Sequence, residues 1–266
     1  MTFETPAIQK QETITDQQKR YWKYEYDVTS YSMLPLLKKW GVEVRGASVI
    51  DVGCGDGGGL CAFHDAGARC VGFDSEERRI RAAEFLKENR TIRFEPGNLY
   101  NENPLFDERG YDILYLHDVF EHLEQKELML NKLQRYLKTN GRALVTFPPY
   151  YSAYGAHQQL LRFPLARIPF FHLIPFSLSV LLPRLRSESP YFVGEVKKLG
   201  RLKMGMRQFE RIVAACGARI VARQAYLISP NHIRFGLKPV RAGLLESIPL
   251  INEIVCTGVV YLLARP

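Results

Sequence analysis

Residues 48–59 read Ser-Val-Ile-Asp-Val-Gly-Cys-Gly-Asp-Gly-Gly-Gly, directly after a polar break at 45–47. Val49, Ile50 and Val52 bracket Asp51 in a short apolar run, the pattern of a strand buried on both faces. Gly53, Gly55 and Gly57 follow at alternate positions, as a chain needs where it turns sharply and admits a ligand against its backbone. Residues 60–67 read as a helix that starts beneath this loop. Strand, glycine turn and helix in that order set the fold class.

Working outward, strand and helix patterns alternate, which predicts a parallel α/β sheet with right-handed crossovers. A second strand over 69–73 ends at Asp74, and Ser75 is placed to cap a helix over 76–89. Strands follow at 92–95, with an exit loop Pro96-Gly97-Asn98-Leu99, and at 111–116. A helix over 123–137 is expected to stop at Asn140-Gly141, and a fifth strand over 142–147 to end at Pro148-Pro149. Residues 148–204 break the alternation: beyond Pro148-Pro149, five further prolines (164, 169, 175, 183, 190) stand among apolar and basic residues. This reads as a lid inserted over the C-terminal edge of the sheet. A helix over 208–216, a strand over 220–226, a short helix over 244–251 and a terminal strand over 254–264 complete the reading. Ahead of the core, 17–40 suggests helical segments with aromatic faces, Pro35 marking a start or a kink. The expected units within one domain are an N-terminal helical segment (1–44), a core (45–147), the lid (148–204) and the rest of the sheet (205–266).

The five cysteines (54, 61, 70, 216, 256) form no C-x-x-C pair. Together with an N-terminus lacking the basic-then-apolar order of a signal peptide, they fit a reducing cytoplasm. Charge is uneven. Residues 1–147 hold 20 Lys+Arg against 23 Asp+Glu, and residues 148–266 hold 16 against 5, for a net +8. A distal half so basic is suited to an anionic partner: an acidic substrate, a membrane surface or RNA.

By spacing alone the glycine stretch stays open between ligands, since Gly53, Gly55 and Gly58 satisfy G-x-G-x-x-G and Asp74 lies 21 residues past Gly53. The acid two residues before the first glycine and the run 111–122 favour another nucleoside. Asp-Val-Gly-Cys-Gly-Asp-Gly (51–57) with Gly-Phe-Asp-Ser (72–75) resembles the S-adenosylmethionine site of the class I methyltransferases. The resemblance covers roughly residues 45–150 well and the chain after 206 more loosely. It implies a doubly wound, mostly parallel, Rossmann-like sheet with an antiparallel last strand. It also implies cofactor contacts from Asp51, Gly53, Gly55 and Gly57 to the amino-acid part, from Asp74 with Ser75 to the ribose, and from Asn98 and Leu99 to the adenine. His117 and Asp118 leave the fourth strand beside the methionine end.

Glu121-His122 resembles a pair common in small-molecule methyltransferases, where it lines the pocket. Asp118, Glu121 and His122 also match D/E-x-x-E-H, which resembles the cation ligands of ubiquinone-biosynthesis and small-RNA methyltransferases; the favoured reading assigns no metal. For an oxygen acceptor, His157 is the first candidate for general base and His122 the second. Tyr150, Tyr151 and Tyr154 could stack on a planar substrate or close the lid. The expected function is methylation, at oxygen, of a small or lipid-like acceptor, with peripheral contact to anionic membrane. An RNA acceptor is opposed by the lack of a recognisable RNA-binding module. A non-catalytic cofactor-binding protein is opposed by the intact loop. For the lid, short helical pieces are expected, with Phe163, Phe170, Phe171 and Phe176 as an apolar roof and solvated Arg184, Arg186, Lys197, Lys198, Arg201 and Lys203 beside it.

Overall fold

The computed structural model describes residues 14–101, 110–174 and 188–266. Its strands are β1 (Ser48–Val52), β2 (Arg69–Asp74), β3 (Ile92–Pro96), β4 (Tyr111–His117), β5 (Leu137–Phe147), β6 (Arg219–Ile228), β7 (Val240–Arg241) and β8 (Gly258–Ala264). They form one sheet in the order β3-β2-β1-β4-β5-β8-β6-β7. The first five pair in parallel; β8 inserts antiparallel between β5 and β6, and β7 lies antiparallel on the β6 edge. The order reverses between β1 and β4, so a crevice opens where these strands end, the place where such sheets bind ligands.

Side chains alternate across the strands and build two cores. On one face Val49, Ile113, Tyr115, Leu144, Val260 and Leu262 pack with α1 (Asp16–Val28), α2 (Leu34–Lys39), α3 (Gly58–Asp65) and α4 (Glu77–Leu86). On the other, Ile50, Leu114, Leu116, Val145, Tyr261 and Leu263 meet α5 (Lys126–Arg135) and α7 (Met206–Ala215). The remaining α-helices among the described residues are α6 (Pro190–Leu202) and α8 (Ile251–Val255).

Several boundaries differ from the sequence reading. The α4 N-cap is Glu76, with no side-chain cap bond; Asp74 Oδ1 accepts the Glu76 N–H at 2.9 Å, so Ser75 is not the cap. Instead of stopping a helix, Asn140-Gly141 lies inside β5, in a register irregularity opposite Tyr111–Ile113. Such extra residues leave the ladder and bend the strand. The expected start of the last strand is helical: α8 occupies 251–255, and the 244–251 segment is a 3₁₀ turn (Gly243–Ser247) followed by a bend. Pro190, counted among the prolines of the lid, sits in the first turn of the 13-residue α6, where a missing N–H costs nothing.

Among its described residues the lid contains three 3₁₀ turns (Gln158–Leu160, Pro164–Arg167, Phe171–Leu173). Phe163 is buried against Phe171, Phe192 and Val196, but Phe170 is exposed, so the roof is a small satellite core closed by α6. Lys198 is half-buried, while Lys197, Arg201 and Lys203 face solvent. Phe176, Arg184 and Arg186 lie outside the described residues. All five cysteines are free. Among the described residues no helix is long and apolar enough to cross a membrane.

Candidate functional site

At the end of β1 the chain enters Gly53, Gly55 and Gly57 with φ of +76°, +56° and +86°, left-handed values that favour glycine. The amides of Gly53 and Cys54 donate to Phe73 O at 2.8 and 3.0 Å, which ties the loop to the end of β2. Asp74 sits there: Oδ2 accepts the Gly55 N–H at 3.0 Å, and Oδ1 takes the Glu76 amide. Ser75 is exposed beside it. Asp51 is buried, and its Oδ1 has no hydrogen-bond partner. Burial pushes its carboxyl well above the ordinary range, and the nearby Asp74 adds to this.

Helix α1 packs directly on the loop. Glu25 Oε2 accepts the Gly58 N–H at 3.3 Å, and a Cβ at Gly55 would come within 2.5 Å of Glu25 Oε1. Burial raises the Glu25 carboxyl well above its usual range, against the pull of Arg79. The Arg79 guanidinium in turn lies 5.0 Å from the Tyr21 ring centre. The loop with its neighbours in β1 and α1 therefore presents backbone amides, buried carboxyls and an unpartnered acceptor oxygen, a donor and acceptor set that suits a cationic amino acid joined to a nucleoside. These residues fit S-adenosylmethionine.

At the end of β4, His117 Nε2 lies 3.0 Å from Asn231 Oδ1. Asp118 adopts a left-handed φ of +54° and donates its N–H to Thr146 O at 3.1 Å. Its carboxylate accepts from the Thr146 hydroxyl at 3.1 Å and from the Asn231 amide. Asn231 thus clamps both residues. Asn98 is exposed and closes a turn onto the Tyr100 N–H, while the Leu99 side chain is in the core and Lys132 Nζ donates to its carbonyl at 2.7 Å.

Phe120–His122 then forms a 3₁₀ turn. Glu121 is 1% exposed, with Oε1 3.4 Å from His157 Nε2 and 3.8 Å from His122 Nε2, and Oε2 unpartnered. His122 Nδ1 lies 2.9 Å from Glu195 Oε2 on α6. The two imidazoles stack 5.5 Å apart at 6°. His157 reaches them from the lid with a left-handed φ of +53°. Both candidate bases therefore meet around one buried carboxyl. Burial drives that carboxyl up to about 8, opposed by His122, and lowers the His157 imidazole. The hydrogen bond from His122 lowers the Glu195 carboxyl.

One atom each from Glu121, His122 and His157 falls within 4.8 Å of the others, a spacing a cation could bridge. Asp118, first member of the D/E-x-x-E-H pattern, is not in that group, because Thr146 and Asn231 take its carboxylate. Tyr150 is buried edge-on to Tyr151 and His172, and the Tyr154 hydroxyl bonds Arg167 O at 3.1 Å; both serve the lid's own structure. The sequence reading missed Glu25, Asn231 and Glu195. Glu25 was the one with a signal, a lone acid within Trp-Lys-Tyr-Glu-Tyr (22–26).

A family described as a methyltransferase domain matches residues 21–182. An uncharacterised methyltransferase of Mycobacteroides abscessus is 30% identical over 122 residues, 44% of this chain and 46% of the relative. Phosphoethanolamine N-methyltransferase 2 of Caenorhabditis elegans is 24% identical over 140 residues, 52% of this chain and 32% of the relative. The chain thus spans less than half the length of these relatives. Among solved structures, an S-adenosylmethionine-dependent methyltransferase of Mesorhizobium loti aligns with a TM-score of 0.54 at 17% identity, covering 87% of this chain and 96% of that one.

Proposed function

The chain belongs to the S-adenosylmethionine-dependent methyltransferases, and from that premise we propose that it methylates an oxygen of a small or lipid-like acceptor, with His157 as proton acceptor. The cofactor supplies a methyl group on a cationic sulfur, and an oxygen that receives it must lose a proton. The observation that carries the reading is the row Glu195, His122, Glu121, His157 beside the end of β4, in which Glu121 is buried and the other three are half-buried. Burial keeps the His157 imidazole neutral and so able to take a proton, while Asp118 and Glu195 favour the cation it becomes and Arg234 opposes it. Glu121 holds the His157 ring through Nε2, and Glu195 fixes His122 beneath it.

The Asp51 and Glu25 carboxyls would receive the cofactor's amino group and Asp74 its ribose hydroxyls. Each Asp74 oxygen accepts one backbone amide, from Gly55 or Glu76, and keeps a second lone pair for a hydroxyl. In-line displacement gains much of its rate from alignment, which the clamp of Asn231 on His117 and Asp118 would serve. The apolar lid supports a lipid-like acceptor. The nitrogen acceptor in the C. elegans relative's name makes an amine the competing outcome.

A second reading has its own support. The convergence of Glu121, His122 and His157, with Glu195 holding the far nitrogen of His122, is how a carboxylate orients a metal-bound imidazole. A divalent cation there would acidify a bound hydroxyl. The test is transfer of labelled methyl from the cofactor into cell extract separated into small molecules, lipid, RNA and protein. Label in the lipid or small-molecule fraction as an ether or ester, undiminished by chelator, is expected. Loss with chelator selects the cation reading. Label on nitrogen, in RNA or protein, or nowhere, overturns the proposal.

A further inference from the structure

The segment after β6 presents large apolar side chains to solvent without cover. Leu244 is 88% exposed, Leu250 62% and Phe235 59%, and Leu237, Ile248 and Ile254 are exposed as well. Isolated apolar residues on a surface need no explanation, but this many within twenty positions do. The charges of the segment are sorted. Arg234, Lys238 and Arg241 are exposed. Its two acids turn inward: Glu246 Oε2 accepts the Ala225 N–H at 2.9 Å, and buried Glu253 accepts the amides of Met206 and Arg207 at 2.9 and 2.8 Å, capping α7. The outward face is thus apolar and cationic, with no outward acid among its residues.

We infer that residues 234–254 dock this protein on an anionic lipid surface. Charge decides among the occupants such a face could have. A second copy laid on it by two-fold symmetry would bring three cations against three, with no carboxylate to offset them. The sheet edge itself, β7, is only two residues long, contains Arg241 and follows shortly after Lys238, which discourages strand-to-strand pairing. An anionic bilayer answers both features, since headgroups meet the cations while Leu244 and Leu250 enter the acyl boundary.

Position agrees. Val240 pairs with Ile228 at the C-terminal end of β6, and β5 feeds the lid from the same sheet edge, where the crevice opens. The lid repeats the pattern: Leu165, Ile168 and Leu173 are exposed beside exposed Arg162 and Arg167, while Glu188 is buried on the Phe163 amide. Docking is independent of which acceptor is methylated.

Co-sedimentation of the full chain with vesicles tests this, using phosphatidylcholine alone and phosphatidylcholine with phosphatidylglycerol. Binding to the anionic vesicles at low salt is expected, falling at least tenfold as salt rises. Leu244→Asp with Leu250→Asp should abolish it without lowering the melting temperature, since both side chains are solvent-exposed. Lys238→Glu with Arg241→Glu should weaken binding to anionic vesicles by roughly twentyfold or more. No binding, or binding that these substitutions leave intact, overturns the inference. A concentration-dependent dimer lost in the Leu244→Asp, Leu250→Asp variant would replace the membrane with a second copy.

Discussion

Glu121 and His157 share one narrow polar space, and the chemistry assigned to them is separable from cofactor binding. Glu121→Gln keeps the shape but removes the carboxyl that holds the imidazole, and His157→Ala removes the proposed proton acceptor. Each should lower turnover by about 10²–10⁴ while leaving cofactor affinity within a few fold, as read by steady-state kinetics beside a binding titration. Equal activity in His157→Ala would remove that residue from the mechanism. Asp56 offers a titration outside this cluster. It is 4% exposed on the glycine loop, and burial raises its carboxyl to about 6, with Arg79 and Arg78 pulling the other way. A carboxyl raised on folding binds its proton more tightly in the folded state, so stability is highest below the unfolded value near 3.9 and declines until pH passes about 6. Asp56→Asn should therefore flatten the pH–stability curve between about 4 and 6. It should also raise stability at pH 7 by on the order of 2 kcal/mol in cofactor-free protein. Urea melts across that range check it, and parallel curves for both proteins would refute it.

At the scale of elements, α1 seals the glycine loop, and Gly58 is the tightest point of contact. A Cβ there would lie 2.0 Å from Trp22 O and 2.9 Å from Tyr26 N, both backbone atoms of α1. Because backbone cannot step aside as a side chain can, Gly58→Ala should cost at least 1–3 kcal/mol. It should also loosen α1, seen as a lower melting temperature and faster hydrogen exchange over 16–28. An unchanged protein would mean α1 does not close on the loop. The strand–loop–helix units were legible because their apolar runs and glycines are local signals. Asp51, Gly53, Gly55, Gly57 and Asp74 come together through one strand pairing, β1 with β2. The lid was legible only as an interruption, since its small core joins Phe163 to Phe192 across a segment with no regular period. Helix α6 escaped because a proline in a first turn looks the same in sequence as one that ends an element. The Asn231 clamp and Glu195 escaped for a plainer reason: each meets its partner across more than seventy residues, 231 to 118 and 195 to 122.

Across the whole molecule, the division of charge follows the division of labour. The acidic half builds the cofactor loop with carboxyls, and the basic half supplies the lid, the 230–235 turn at the pocket and the exposed C-terminal face. That both halves meet at one sheet edge follows from the topology, since every parallel strand ends there. The central claim is that the loop and Asp74 hold S-adenosylmethionine, and isothermal titration of the demethylated cofactor, S-adenosylhomocysteine, tests it without any acceptor. One site per chain is expected. Asp74→Ala, shown to be folded by its melting curve, should bind roughly 10- to 150-fold more weakly, the loss of about 1.5–3 kcal/mol for a charge-assisted hydrogen bond. No binding to the unaltered chain, or equal affinity in the folded Asp74→Ala protein, would contradict the account.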